Sequence, residues 1–146
     1  MNKTPRPQIL LIEDNPGDIL LFRIALSEAG IDSDVQEIRD GRAALDYVRQ
    51  EGSGLPDLVV LDLNLPKADG REILTAMRAN PLFQSVPVII WTSSNARTDR
   101  EHFDNLSVAR YVVKPPEFEG LVRLGKAVGE VLHGAEPSAA QSGAAI

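Results

Sequence analysis

Short apolar runs alternate along this chain with segments whose apolar residues recur every three or four positions. The first run, Gln8-Ile9-Leu10-Leu11-Ile12, reads as a buried strand. Asn15 suits a helix N-cap, Pro16 a first helical position and Gly30 a stop, which predicts a helix from about Pro16 to Ala29. A weaker strand over Val35–Ile38 precedes a helix over Arg42–Gln50, with Ala44, Leu45 and Val48 on its inner side. Asp57–Leu61 reads as a third strand, and Arg71–Ala79 as a helix ended by Asn80-Pro81. Val86–Trp91 reads as a fourth strand, whose Pro87 is tolerable only near its start. A short polar helix over Thr98–Asn105, a fifth strand over Ala109–Val113 and a helix over Glu117–Leu132 complete the order. Gly125 and Gly129 weaken that last helix. Strands alternating with helices imply a parallel sheet with helices on both faces.

Composition narrows the class. A chain of 146 residues has room for one domain with one core. The formal charge is −6 and no basic cluster stands out, which argues against nucleic acid as a partner. The chain has no cysteine, so disulfides and thiolate metal sites are excluded. Met1–Gln8 does not look like a signal peptide, and no apolar run approaches the ~20 residues a membrane helix needs. These features point to a cytoplasmic protein with no membrane association. The tail from Gly134 to Ile146 is rich in Ala, Ser and Gly without periodicity and is expected to be disordered, leaving residues 1–133 as the domain.

The chemistry gathers where the strands run out. Glu13 and Asp14 follow the first strand, Asp62 ends the third, Thr92 follows the fourth and Lys114 the fifth. A parallel sheet brings these ends to one edge, where open α/β sheets bind their ligands. The result is three carboxylates, a hydroxyl and an ammonium in one crevice. The carboxylates repel one another unless a cation neutralises them, and all-oxygen donors favour a hard divalent ion such as Mg²⁺. A cation and Lys114 together could stabilise a transferring phosphoryl group, with a carboxylate as nucleophile. Thr92 could hydrogen-bond a phosphoryl oxygen, and Ser93 and Ser94 are small enough to leave the mouth open.

Taken singly, each residue has a plainer reading. Asp62 would pass for a turn former, Glu13 and Asp14 for caps, Thr92 for a structural hydroxyl and Lys114 for a solvated charge. Their placement after successive strands is what gives them weight. Trp91 reads as core filling. His102 and His133 read as surface residues, with no metal role.

Four motifs in order carry a resemblance. Ile9-Leu10-Leu11-Ile12-Glu13-Asp14, Leu61-Asp62-Leu63-Asn64-Leu65-Pro66 with Asp69-Gly70, Trp91-Thr92-Ser93-Ser94, and Tyr111-Val112-Val113-Lys114-Pro115 resemble the receiver domains of two-component response regulators. The stretches Glu13-Asp14-Asn15-Pro16-Gly17-Asp18 and Leu63-Asn64-Leu65-Pro66-Lys67 are similar, more narrowly, to the stand-alone regulators paired with phytochrome histidine kinases. The resemblance runs from about Gln8 to Leu132. It implies a doubly wound, flavodoxin-like fold with five parallel strands in the order 2-1-3-4-5. It implies that Asp62 accepts phosphate from a sensor histidine kinase. Asp14 and Asp62 would ligate Mg²⁺ directly, Glu13 largely through water, and Asn64 through its backbone carbonyl. Thr92, with Ser93 beside it, would bind the phosphoryl group, Lys114 would pair with it, and Tyr111 would change rotamer with Thr92. The Lys114-Pro115 bond would be cis. Such a protein signals through phosphorylation-dependent contacts with a downstream protein and is not an enzyme on other substrates; a homodimer is left open. The acidic pair is Glu-Asp where Asp-Asp is commoner in the family.

Two enzyme or carrier readings compete. A small aspartyl-phosphate-forming phosphatase would want a second acid two residues after the nucleophile, where this chain has Asn64, and a cap domain. A flavin-binding electron carrier would want a phosphate-binding loop after the first strand, where Glu13-Asp14 would repel it. The first helix also carries surplus apolar residues. At about 100° per residue, Leu21, Phe22, Ala25 and Ala29 form a stripe toward the sheet, and Ile19 lies at its margin. Leu20 then points almost opposite and Ile24 lies on the flank, which marks both as candidate docking residues for the kinase.

Overall fold

A computed structural model describes residues 6–50, 54–93, 106–114 and 117–134. Its sheet has five parallel strands in the order β2-β1-β3-β4-β5: β1 (Gln8–Ile12), β2 (Asp34–Ile38), β3 (Leu58–Leu61), β4 (Val88–Thr92) and β5 (Arg110–Val113). Four helices among the described residues cover it: α1 (Pro16–Glu28), α2 (Gly41–Arg49), α3 (Gly70–Ala79) and α4 (Phe118–Leu132). This is the doubly wound order that the family resemblance implied. The Thr98–Asn105 segment, Ser94, His102, Pro115 and the tail beyond Gly134 lie outside the described residues.

Alternation along the strands divides the core into two halves. Leu10, Ile12, Val59, Leu61, Val88 and Ile90 face α2 and α3. Ile9, Leu11, Leu58, Val60, Ile89 and Trp91 face α1 and α4. The three inner strands are buried on both faces, so they read in sequence as continuous apolar runs. Burying each of these side chains stabilises the fold by about 1.5–3 kcal/mol relative to leaving it exposed. Trp91 is core filling, as expected, with its ring 6.0 Å from that of Phe22.

Two details depart from the sequence expectations. The strand β4 starts at Val88, beyond Pro87, whose lack of an N–H keeps it out of the ladder. The buried arc of α1 is Ile19, Phe22, Ala25 and Leu26, while Leu21, expected to face the sheet, is as exposed as Ile24, and Ala29 sits exposed at the helix C-cap. The cause is α4, which packs beside α1 and turns its buried arc toward Ile19 and Leu26. Gly125 is part of that contact: a Cβ there would lie 2.7 Å from the Ala25 carbonyl oxygen. This glycine costs helix propensity but permits the close crossing.

Candidate functional site

Each strand-end residue is held by one more ladder bond past its strand. Glu13 donates its N–H to the Ile38 carbonyl (3.0 Å), Asp62 to Ile12 (3.1 Å) and Lys114 to Thr92 (2.8 Å). Glu13 keeps the alternation phase of Ile9 and Leu11, Asp62 that of Leu58 and Val60, and Lys114 that of Val112. All three side chains therefore lean toward the α1–α4 side of the sheet edge. Thr92 has the opposite phase, and its hydroxyl accepts a long hydrogen bond from the Asn64 amide (3.5 Å). Gly70 closes the site from below. A Cβ on it would lie 2.5 Å from the Asp62 carbonyl oxygen, so only glycine lets α3 start this near the acid.

The Lys114 ammonium is the hub. Its Nζ lies 2.8 Å from Glu13 Oε1, 3.2 Å from Asp62 Oδ2 and 2.8 Å from Asp18 Oδ2. It also sits 4.9 Å from the centre of the Trp91 ring. Glu13, Asp62 and Thr92 are buried, whereas Asp14 is exposed at the mouth. Glu13 Oε2 accepts from the Asn15 N–H (3.2 Å), and Asp62 Oδ1 from the Asn64 N–H (3.2 Å). Beside Asp14 an open depression of about 770 Å³, lined also by Asn64, Lys67, Asp69 and Glu72, gives access from solvent.

Electrostatics follow from this packing. Burial pushes the Glu13 carboxyl up from 4.5 to about 7, against the lowering hydrogen bond from Lys114 and with the Asp62 charge adding to the rise. For Lys114, burial opposes the charged form, but the hydrogen bonds to Asp18 and Glu13 outweigh it and raise the pKa. Oxygen atoms of Glu13, Asp14 and Asp62 lie within 4.8 Å of one another. With one ammonium against these carboxylates and Asp18, the cluster keeps a surplus of negative charge. Hard oxygen donors in that state fit a divalent cation.

Glu13 makes one consequence measurable. Without divalent cation, the folded carboxyl holds a proton that the unfolded one has lost between pH 4.5 and about 7. The native state then binds more protons in that window, so its stability falls as pH rises through it. Thermal melts in excess chelator should show this slope for the natural protein and lose it in Glu13→Gln. An equal slope in both would assign the titration to another group.

The structure brings Glu13, Asp14, Asp62, Asn64, Thr92 and Lys114 together, as the sequence order implied. Ser93 is exposed just past β4. Tyr111 is half-buried on the α2–α3 side of β5. Pro115 lies outside the described residues, and His133 is exposed. Sequence reasoning missed Asp18 as a site residue. Its signal was its place two residues after Pro16, in the first turn of a helix that starts at the site.

Comparison with known proteins gives a consistent picture. The family model described as the response regulator receiver domain matches residues 9–124. A probable methanogenesis regulatory protein, FilR2 of Methanothrix harundinacea, is 38% identical over 125 residues, covering 84% of this chain and 81% of that protein. The response regulator Rcp1 of Synechocystis is 36% identical over 124 residues, covering 82% of this chain and 84% of its own length. Among solved structures, the phosphorylated cyanobacterial phytochrome response regulator RcpA superposes with a TM-score of 0.78 at 36% identity, covering 88% of this chain and 94% of that one. A Mn²⁺-bound form of Rcp1 superposes with a TM-score of 0.75 at 34% identity, covering 85% and 92%. The chain belongs to the response regulator receiver domain family.

Proposed function

We propose that this receiver domain takes a phosphoryl group onto Asp62 from the phosphohistidine of a sensor histidine kinase. The observation that carries the reading is Lys114 Nζ bridging Asp62 and Glu13 at the ends of three strands, beside an exposed Asp14. An Asp62 carboxylate oxygen attacks phosphorus, the new O–P bond forms as the N–P bond breaks, and the electron pair of the broken bond stays on the imidazole. Lys114 meets the negative charge on the phosphoryl oxygens, and the Thr92 hydroxyl hydrogen-bonds one of them. Ser93 borders the same mouth. The Asp14 and Asp62 side chains, the Asn64 carbonyl and Glu13 through water would hold Mg²⁺, which supplies charge neutralisation for the transfer. Tyr111 would shift with Thr92 when the hydroxyl moves, and Pro115 would fix the turn after Lys114. The output is a change in binding to a downstream protein, not chemistry on a further substrate.

The similarity to RcpA and Rcp1 favours a phytochrome as the kinase, since the solved relative RcpA is described as a phytochrome response regulator. Among the described residues no helix is long and apolar enough to cross a membrane. The direct test is transfer of radiolabel from autophosphorylated kinases, phytochrome kinases first, in Mg²⁺. A chain labelled by neither these nor a small phosphodonor is not a phosphoreceiver.

The kinase would dock on α1. Leu20 is 59% exposed and Ile24 37%, on the helix that starts beside Asp14. Leu20→Ala and Ile24→Ala are each expected to slow transfer from the cognate kinase about tenfold, the scale of losing one interface anchor. Labelling by a small phosphodonor should stay at the natural rate. Normal transfer rates in both variants would move the docking surface elsewhere.

A further inference from the structure

Asp18 has no part in the reaction as written, yet it makes one of the shortest contacts in the site. It is the third residue of α1, where a carboxylate is stabilised by the helix N-terminus. An acid at this position commonly folds back onto the N-cap backbone N–H. Here that N–H, from Asn15, is taken by Glu13 Oε2 at 3.2 Å. The Asp18 side chain turns outward instead and accepts from Lys114 Nζ at 2.8 Å, while its own N–H is fixed on Asn15 Oδ1 at 2.9 Å.

An ammonium has three donors, and Lys114 spends them on Glu13, Asp18 and Asp62. A phosphoryl group on Asp62 adds acceptor oxygens and negative charge. Lys114 can bond those oxygens only by releasing a present partner. The Glu13 and Asp62 side chains are 1% and 7% exposed, against 27% for Asp18. Phosphorylation takes the charge from the Asp62 carboxylate itself, so its place at Nζ passes to a phosphoryl oxygen. Of the two acids that still hold Lys114 back, Asp18 is the one that water can re-solvate, and its bond is the one given up as Nζ follows the phosphoryl group.

We infer that Asp18 is a positioning residue that parks Lys114 until a phosphoryl group draws it away, so that phosphorylation breaks an ion pair between β5 and the first turn of α1. This rests on the phosphoreceiver reading above. The released turn is followed directly by buried Ile19 and exposed Leu20, which links the state of Asp62 to the proposed docking face. Asp18 thus opposes phosphorylation: it stabilises the unphosphorylated arrangement of Lys114 and must be displaced to form the other.

The test uses the full chain in saturating Mg²⁺ with beryllofluoride, a non-covalent mimic of a phosphoryl group on a carboxylate, followed by ¹⁹F NMR and Trp91 fluorescence. Asp18→Asn and Asp18→Ala should each tighten beryllofluoride binding about three- to fivefold, the upper range for a partly exposed ion pair. In a Lys114→Ala background the same substitutions should give no gain. A structural role alone would weaken binding, and unchanged or weaker binding in both variants overturns the inference. An equal gain in the Lys114→Ala background also overturns it, because removal of a nearby negative charge would then be the whole effect. Failure of the natural protein to bind the mimic, or full binding by Asp62→Asn, overturns the phosphoreceiver reading itself and the inference with it.

Discussion

Asp62→Asn is expected to abolish phosphoryl labelling while the chain stays folded. The substitution keeps the shape of the side chain and the backbone bond from its N–H to Ile12. It removes the anionic oxygen that the proposed transfer requires, and the neighbouring acids are not placed to replace it. Glu13 is buried and already bonded to Lys114 and to the Asn15 N–H, and Asp14 stands exposed at the mouth. The variant also removes one negative charge from a crowded cluster, so its melting temperature should equal or exceed that of the natural protein. The label on the natural protein should be acid-stable, base-labile and released by hydroxylamine, as an acyl phosphate is. Full labelling of Asp62→Asn would place the acceptor on another residue.

The second large effect is on the cation. With Mg²⁺ removed, the phosphoryl oxygens must approach Asp14, Asp18 and Asp62 with only the Lys114 charge in opposition. Each uncompensated pair of unit charges about 5 Å apart costs roughly 3 kcal/mol at an effective dielectric near 20. Transfer in excess chelator should therefore slow by at least two powers of ten. Asp14→Ala should weaken the metal more than Glu13→Ala, since the proposed direct ligand is Asp14 and Glu13 acts through water. Trp91 stands 4.9 Å from Lys114 Nζ, so its fluorescence should follow the metal titration. An unchanged transfer rate in chelator would remove the cation from the mechanism.

Much of this was written locally. Four of the five strands are apolar enough, and the turns around them polar enough, that their existence and parallel sense follow from the chain alone. The strand-end acids, Thr92 and Lys114 follow too, because a parallel sheet has only one edge to which strand ends can point. Element limits slipped by a residue or two where caps decide them. The helix α2 begins at Gly41, not Arg42, because Asp40 caps it by accepting from the Ala43 N–H.

What the sequence determined by itself was the five strands and the four described helices, the sheet order once the family motifs were read, and the residues that meet at its edge. Periodicity and capping act between residues a few positions apart, so they are legible without the fold. The buried arc of α1 was settled by tertiary contact, since a helix with apolar residues nearly all round takes its orientation from its neighbours, here α4 at Ala25 and Gly125. The same holds for Arg78, whose guanidinium donates to the Leu106 carbonyl at 2.7 Å and the Ser107 carbonyl at 3.2 Å and so fixes the approach to β5. It holds most of all for Asp18. Lys114 lies 96 positions from it and 101 from Glu13, and whether one ammonium reaches both depends on register, crossing angle and the space between two layers. Those quantities are set by packing across the whole domain, and no local pattern encodes them.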